Sequence, residues 1–371
     1  MLYIMLKRLG LRSTLTIVNK TQNISTKLII KTELPTFKQL QNIDSSVNSQ
    51  YVIIFDRILL KNSTFSKWIK QFELSIAVKA GESLKTMDQF SAILNKIQKW
   101  ESSHKLNHKP TFVAVGGGSV GDFVGFLASV YKRGSKLIHI PSTWLAALDS
   151  AHGGKNGLNL NTIKNQIGTI YPAAAVWLSS QLLTSQPSER LHDVYGEVIK
   201  TVLLTKPHML ISLAINEKYI LKHLNFLIDC KIKIVNQDLY ETKGIRHVLN
   251  LGHTVGHVLE SQLKLSHGYS VALGLIFTAR WSYHLGYITD QYFFEVIQKI
   301  LEVPGMDDLL KKMYSVKNQE LAKMLLADKK KSNKSANIRF VFLSSKHKTI
   351  IQEKSIKEIV SEYSRQRFSV L

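Results

Sequence analysis

The sequence predicts two domains of different class: an α/β domain with a mostly parallel sheet over residues 1–184, and a mainly α-helical domain over residues 185–371. Three observations carry this. Short β-branched runs alternate with helical patterns in the first half, a glycine run joins one of those strands to an apolar helix, and the alternation stops near residue 184. At 371 residues the chain is long enough for two cores, at roughly 150 residues per domain.

Taken in order, the first thirty-two residues hold six Lys or Arg and no acid before Glu33. That composition is similar to a targeting segment, but 15–18 and 27–30 are β-branched runs, and opening strands are the expected reading. Further strands are expected at 51–55, 74–78, 111–115 and 136–140. Between them, the clearest helix puts Leu84, Met87, Phe90, Ile93, Leu94, Ile97 and Trp100 on one face. After Val115, the run Gly116-Gly117-Gly118-Ser119-Val120-Gly121-Asp122 leads into an apolar helix over 123–131. The stretch 141–168 is polar and glycine-rich, yet keeps Ile167 and Ile170 beside its lysines. From there the pattern is helical at 189–204, 209–230, around His253, 271–285, 291–301 and 320–326, with one late strand at 338–343.

Composition narrows the function. With 44% hydrophobic and 20% charged residues this is an ordinary globular chain, and no apolar run approaches a membrane span. Cys230 is the only cysteine, so no intramolecular disulfide can form and a reducing, cytoplasmic setting is expected. The net charge, 49 − 27 = +22, suits polyanions or small phosphorylated and carboxylated substrates. Because the basic residues are spread along the chain and form no arginine-rich arm, the small anion is favoured over nucleic acid or membrane. A homodimer is compatible with the sequence.

Three histidines fall close together: His253 and His257 at i,i+4 on one expected helix face, and His267 just beyond it. Such imidazoles can form half of a metal site. Glu197, with Lys200 one turn on, supplies a carboxylate from the opening helix of the second domain. One carboxylate and two histidines leave a coordination position open, as a catalytic zinc requires. In the first domain the glycine run would let backbone amides approach a diphosphate at a helix N-terminus. Asp149, Lys155, Lys164 and Asn165 lie beside glycines that hold backbone close to a small polar anion. Paired histidines also occur as core residues and glycine runs as tight turns, so each signal is modest alone.

Together these stretches read, in order, GGGSVGDFVGF, YKRG, PST, DSAHGGKNG, KNQIG, GEVIK, a lysine-bearing segment around Lys233, IRHVLNLGHTVGH, HG and DKK. Over roughly residues 75 to 335 the chain thereby resembles the 3-dehydroquinate synthases, a branch of the sugar phosphate cyclases. The resemblance implies a Rossmann-like, NAD-binding amino-terminal domain and a helical carboxy-terminal domain carrying the metal, with the active site in the cleft between them. By position it implies Glu197, His253 and His267 as ligands of Zn2+ or Co2+. It assigns NAD to Asp56, Glu82, Lys85, Gly117, Gly118, Ser119, Asp122, Ser142 and Thr143, with Asp149, Lys155 and Lys164 bordering it. The substrate pocket would be Asp149, Lys155, Asn165, Lys200, Lys233, Arg246, Asn250, His257 and the Lys329-Lys330 pair, joined by Arg133 and Lys164. Within it, Lys155, Asn165, Asn250 and His257 would face phosphate, and Arg246 a carboxylate.

The implied reaction is a step of the shikimate route to chorismate and aromatic amino acids. It converts 3-deoxy-D-arabino-heptulosonate 7-phosphate to 3-dehydroquinate and phosphate by transient NAD-mediated oxidation, elimination, reduction and internal aldol closure. Three positions depart from the family pattern: Tyr269 where Glu is usual, Gly196 where a larger residue is common, and His152 for a small apolar residue. Tyr269 is expected to remove a carboxylate near a metal ligand. The rival enzyme readings are a cyclase acting on glucose 6-phosphate (2-deoxy-scyllo-inosose synthase-like) or on sedoheptulose 7-phosphate, and an iron-dependent alcohol dehydrogenase. Arg246 speaks against the other cyclases, whose substrates lack a carboxylate. From another class, the scaffold could serve as a non-catalytic NAD or nucleic-acid binder.

Overall fold

The computed structural model describes residues 14–19, 24–44, 49–106, 108–161, 163–330, 337–345 and 348–368. The chain divides into two compact units, Met1–Ser188 and Glu189–Leu371.

The strands of the first unit are β1 (Thr14–Asn19), β2 (Ile24–Lys31), β3 (Tyr51–Asp56), β4 (Ser75–Val78), β5 (Thr111–Gly116), β6 (Leu137–Pro141), β7 (Lys155–Leu160), β8 (Ile163–Ile170) and β9 (Ala175–Ser179). Seven of them form one sheet in the order β1-β2-β9-β6-β5-β3-β4. Only the β1–β2 pair is antiparallel. The inner strands are continuous apolar runs because both of their faces are covered. Val52, Ile54, Phe112 and Ala114 pack with Phe90, Ile93, Phe123 and Leu127. Their neighbours Ile53, Phe55, Val113, Val115 and Ile140 point the other way, onto Phe65, Trp68 and Ile69.

From β3 the chain steps to β4 at one edge and then returns to β5 and β6 on the other side. That reversal sets the carboxyl ends of β3 and β5 side by side, the place where open α/β sheets take ligands. The helix expected at 123–131 begins earlier, spanning Gly118–Val130 with Gly117 as its N-cap, so the glycine run is its first turn. The short helices Phe37–Asp44 and Ser63–Ile69 have too few turns for their bounds to be read from the sequence. The antiparallel β7–β8 hairpin is likewise not expected from the sequence, since its strands mix Asn, Gly and Lys with Leu158, Ile163 and Ile167 and show no strict branched alternation. It closes because Gly157 has no side chain: a Cβ there would lie 2.8 Å from the Ile167 carbonyl oxygen.

In the second unit, helices Tyr195–Thr205, Glu217–Gln237, His253–Leu263, His267–His284, Asp290–Leu301, Met306–Met313, Asn318–Lys330 and Ile356–Phe368 accompany a hairpin of β10 (Asn337–Ser344) and β11 (Lys348–Ser355). The His267–His284 helix is its centre and is buried almost all round. The helix expected at 209–230 instead starts at Glu217, where the Asn216 side chain accepts from the Tyr219 amide. The preceding segment is held by the buried Lys299, whose ammonium donates to the carbonyls of Ile211 and Leu213 and pairs with Glu302 at 2.7 Å. No described helix is long and apolar enough to cross a membrane.

The departure at Gly196 has a packing cause. A Cβ there would sit 2.5 Å from the Gly268 carbonyl oxygen, where the Tyr195–Thr205 and His267–His284 helices cross. Gly196→Ala should therefore separate two helices that each begin with metal-site residues. The expected cost is about 1–3 kcal/mol in denaturant unfolding, with weakened metal retention; wild-type values for both would contradict this packing account.

Candidate active site

Three helix starts build the cluster in the second unit. Glu197 lies in the first turn of Tyr195–Thr205, and His253 and His267 open their own helices. Gly252, at φ +77, turns the chain sharply enough to place His253 there. Glu197 Oε1 stands 3.2 Å from His253 Nε2 and 3.2 Å from His267 Nε2. Donor–metal bonds of about 2.0–2.1 Å imply a tetrahedral edge of roughly 3.3 Å, so these separations fit a four-coordinate zinc-type ion. The outer ring nitrogens fit as well: His253 Nδ1 donates to the Leu251 carbonyl at 3.1 Å and His267 Nδ1 to Glu260 at 3.0 Å, leaving both Nε2 atoms facing Glu197.

The other Glu197 oxygen pairs with Lys200 at 2.6 Å, and Lys200 also donates to the Leu249 carbonyl. Burial opposes charge on Glu197, but Lys200 and the two imidazoles outweigh it and hold the carboxyl well below its usual range. Burial, helped by Lys200, lowers the His253 imidazole. Burial would lower His267 too, yet its hydrogen bonds to Glu197 and Glu260 push it up to about 10. The metal-free site thus carries a proton on His267 at neutral pH, and uptake of an ion must expel it. Metal affinity should accordingly climb up to tenfold per pH unit, roughly, from neutrality towards the raised value. Calorimetric titrations in buffers of different ionisation enthalpy should show about one proton released; none released would contradict the assignment.

Around the triad, the exposed His257 ring lies 5.1 Å from that of His253 and edge-on to it. Arg246 is buried, its guanidinium donating to the Leu239 carbonyl and lying 3.5 Å from Glu241. Asp238 shapes that turn by accepting the amides of Lys243 and Arg246. Asn250 bonds His247, which in turn bonds the Arg339 carbonyl. Lys233 is placed differently: it is exposed and pairs with Asp229 at 2.8 Å. Two residues earlier, on the opposite face of the helix, Lys231 is buried. The side chains of Lys329 and Lys330 lie outside the described residues. Tyr269 faces His192 and Tyr195 and donates its hydroxyl to the Pro304 carbonyl, while Glu260 is the carboxylate on His267.

In the first unit the expected cofactor residues gather at the carboxyl ends of the strands. Gly117 and Gly118 leave room for Thr143 and Ser150, since Cβ atoms on them would come within 3.2 Å of those side chains. Ser119 accepts the Gly81 amide, and Thr143 caps the Trp144–Leu148 helix. The Ser142 amide donates to the Gly116 carbonyl. Lys85, almost fully buried, pairs with Asp122 at 2.6 Å and donates to the Asn165 side chain. Burial pushes the Asp122 carboxyl up, and Lys85 only partly offsets this. Asn165 sits at φ +54.

Asn159, absent from the sequence-based set, joins these groups. Its carboxamide accepts the Asn165 amide and donates to Glu82, which lies 3.6 Å from Lys164. Asp56 caps the short turn Arg57–Lys61 after β3. Asp149 follows the Trp144–Leu148 helix and contributes to raising Asp122. Lys155 is exposed at the start of β7, and Arg133 is exposed in a left-handed turn at φ +63. His152 bonds the Ala147 carbonyl at 2.8 Å. Glycine-opened helix, short polar cradle and buried charge pair fit a dinucleotide.

A parallel α/β unit with such a cradle and a helical unit with a Glu–His–His ion site define the class: a protein of dehydroquinate synthase-like fold. Residues 75–193 match the 3-dehydroquinate synthase N-terminal family and residues 194–331 the 3-dehydroquinate synthase C-terminal family. The chain belongs to the 3-dehydroquinate synthase family. It is 34% identical to the 3-dehydroquinate synthase of Saccharolobus solfataricus, covering 72% of this chain and 77% of that one. With that of Clostridium tetani it shares 35% identity, over 83% and 80% of the two chains. Its fold is similar to that of a 2-deoxy-scyllo-inosose synthase solved with carbaglucose-6-phosphate, NAD+ and Co2+, at a TM-score of 0.77, 22% identity, and 95% and 99% coverage.

Proposed function

We propose that this chain is a 3-dehydroquinate synthase, an NAD- and metal-dependent carbon–oxygen lyase that releases phosphate from a seven-carbon keto-acid phosphate and closes the remainder into a carbocycle. The observation that carries it is the convergence of Glu197, His253 and His267 at ion-binding separations, with Lys200 buried beside them. When bound, a divalent ion supplies Lewis acidity at adjacent hydroxyls and NAD supplies a reversible hydride acceptor.

The chain's own residues bind and orient. Lys200 keeps Glu197 ionised and therefore able to serve as a ligand. Arg246, aligned by the Leu239 carbonyl, suits the substrate carboxylate, because a guanidinium fork matches two oxygens. In the first unit the exposed Lys155 and the Asn165 carboxamide offer a cation and an amide donor suited to a phosphate, and in the second unit His257 adds a ring nitrogen beside the metal cluster. Cations and donors of this kind neutralise a doubly anionic substrate and restrict its conformations, so positioning carries much of the rate.

The test is phosphate release over a panel of 3-deoxy-D-arabino-heptulosonate 7-phosphate, glucose 6-phosphate and sedoheptulose 7-phosphate, with absorbance followed for NADH. Chelator-sensitive release from the keto-acid phosphate, without net NADH, is expected. Release from glucose 6-phosphate or sedoheptulose 7-phosphate alone would replace this substrate assignment. Salt-sensitive DNA binding with no release from any of them would refute the enzyme reading.

A further inference from the structure

We propose that Glu260 is the positioning residue of the metal site, accepting the Nδ1 proton of His267 and so aiming Nε2 at the ion. This deepens the function proposed above and rests on its metal site. Glu260 stands two turns along the His253–Leu263 helix, and its Oε2 is 3.0 Å from His267 Nδ1. The opposite edge of the same ring, Nε2, is 3.2 Å from Glu197 Oε1. One imidazole is therefore clamped between two carboxylates, one on the ion side and one behind it.

His253 is held differently, since its Nδ1 donates to the neutral carbonyl of Leu251. A charged acceptor makes the stronger hydrogen bond and draws more proton character away from the ring, so His267 becomes the more electron-rich donor of the two. The Glu260 side chain is 38% exposed, so solvent reaches its carboxylate. The tyrosine at 269 does not compete for His267, because its hydroxyl is committed to the Pro304 carbonyl.

The same residues could be taken for a second ion site, because ligand atoms of His257, Glu260 and His267 lie within 4.8 Å of one another. The hydrogen bond argues otherwise. The Glu260 oxygen that would meet such an ion already holds the Nδ1 proton, and a protonated Nδ1 has no lone pair to give.

The test uses the full chain as wild type, E260Q and E260A, stripped with chelator and titrated with Zn2+ against a chromophoric competitor, with Co2+ absorption spectra recorded in parallel. Zinc dissociation should weaken about 10- to 100-fold in E260A. E260Q should lie between, as its carboxamide oxygen still accepts the proton, and all three proteins should bind one ion per chain with the Co2+ bands shifted in the variants. Equal affinities and spectra in the three proteins would overturn the positioning role while leaving the metal site standing. Two ions in wild type and one in E260A would overturn it in favour of a second site. A wild type that takes up no ion would instead sink the metal reading on which the proposal rests. Should E260A fail to fold by circular dichroism, E260Q alone decides by the same criteria.

Discussion

Replacing His267 by alanine should strip the ion and reduce phosphate release by at least about a thousandfold, since Lewis-acid stabilisation is worth several kcal/mol at about 1.4 kcal/mol per factor of ten. His267 Nε2 is one of the three clustered donor atoms, with Glu197 Oε1 and His253 Nε2, and its far nitrogen is backed by a carboxylate. Its loss leaves an ion with one imidazole and one carboxylate that is already shared with Lys200. Because His267 is only partly buried, the fold should survive, and metal content with phosphate release then separates the two effects. Full turnover in a chelator-treated His267→Ala protein would contradict the assignment.

Lys85→Met should produce the second large loss, this time in the first unit. The Lys85 side chain is 2% exposed, and its ammonium joins Asp122 and Asn165. Without it, burial and the nearby Glu82 and Asp149 still push the Asp122 carboxyl up, and the opposing charge of Lys85 is gone. Removing one member of a buried pair costs about 3–5 kcal/mol, and partial exposure of Asp122 places this case near the lower end. NAD affinity should fall about ten- to a hundredfold with the lost charge-assisted hydrogen bonds. Lys99→Met, on the exposed side of the Met87–Ser102 helix, should change neither. Denaturant unfolding and NAD titration check this, and unaltered NAD binding by Lys85→Met would remove Lys85 from the cradle.

How far the sequence could be read depended on whether the interaction was local. Buried parallel strands announce themselves as consecutive branched residues, so β3, β5 and β6 were legible. The β7–β8 hairpin was not, because its fit comes from Gly157 packing on the Ile167 backbone and from Asn156 lying under Gly125. Short helices such as Ser63–Ile69 offer too few turns for periodicity to show. The cluster of Glu197, His253 and His267 could be named through motif order, whereas their mutual distances are tertiary facts.

Two misses had usable signals. Lys231 shares the apolar face of its helix with Leu224, Leu227, Ile228 and Val235, at spacings of three, four and seven, so helix phase marks it as a buried lysine two residues before the exposed Lys233. Glu260 lies seven residues beyond His253 on one helix, hence on the same side. Asn159 gave no such hint, since its role depends on Glu82 and Asn165 meeting at the hairpin.

Zinc K-edge X-ray absorption on the zinc-loaded full chain tests the central claim most directly. Two imidazole nitrogens and one carboxylate oxygen, with light-atom donors at about 2.0–2.1 Å and no sulfur, are expected. One imidazole should vanish in the His267→Ala protein. A first shell without imidazole scattering, or one unchanged by that substitution, would contradict the account.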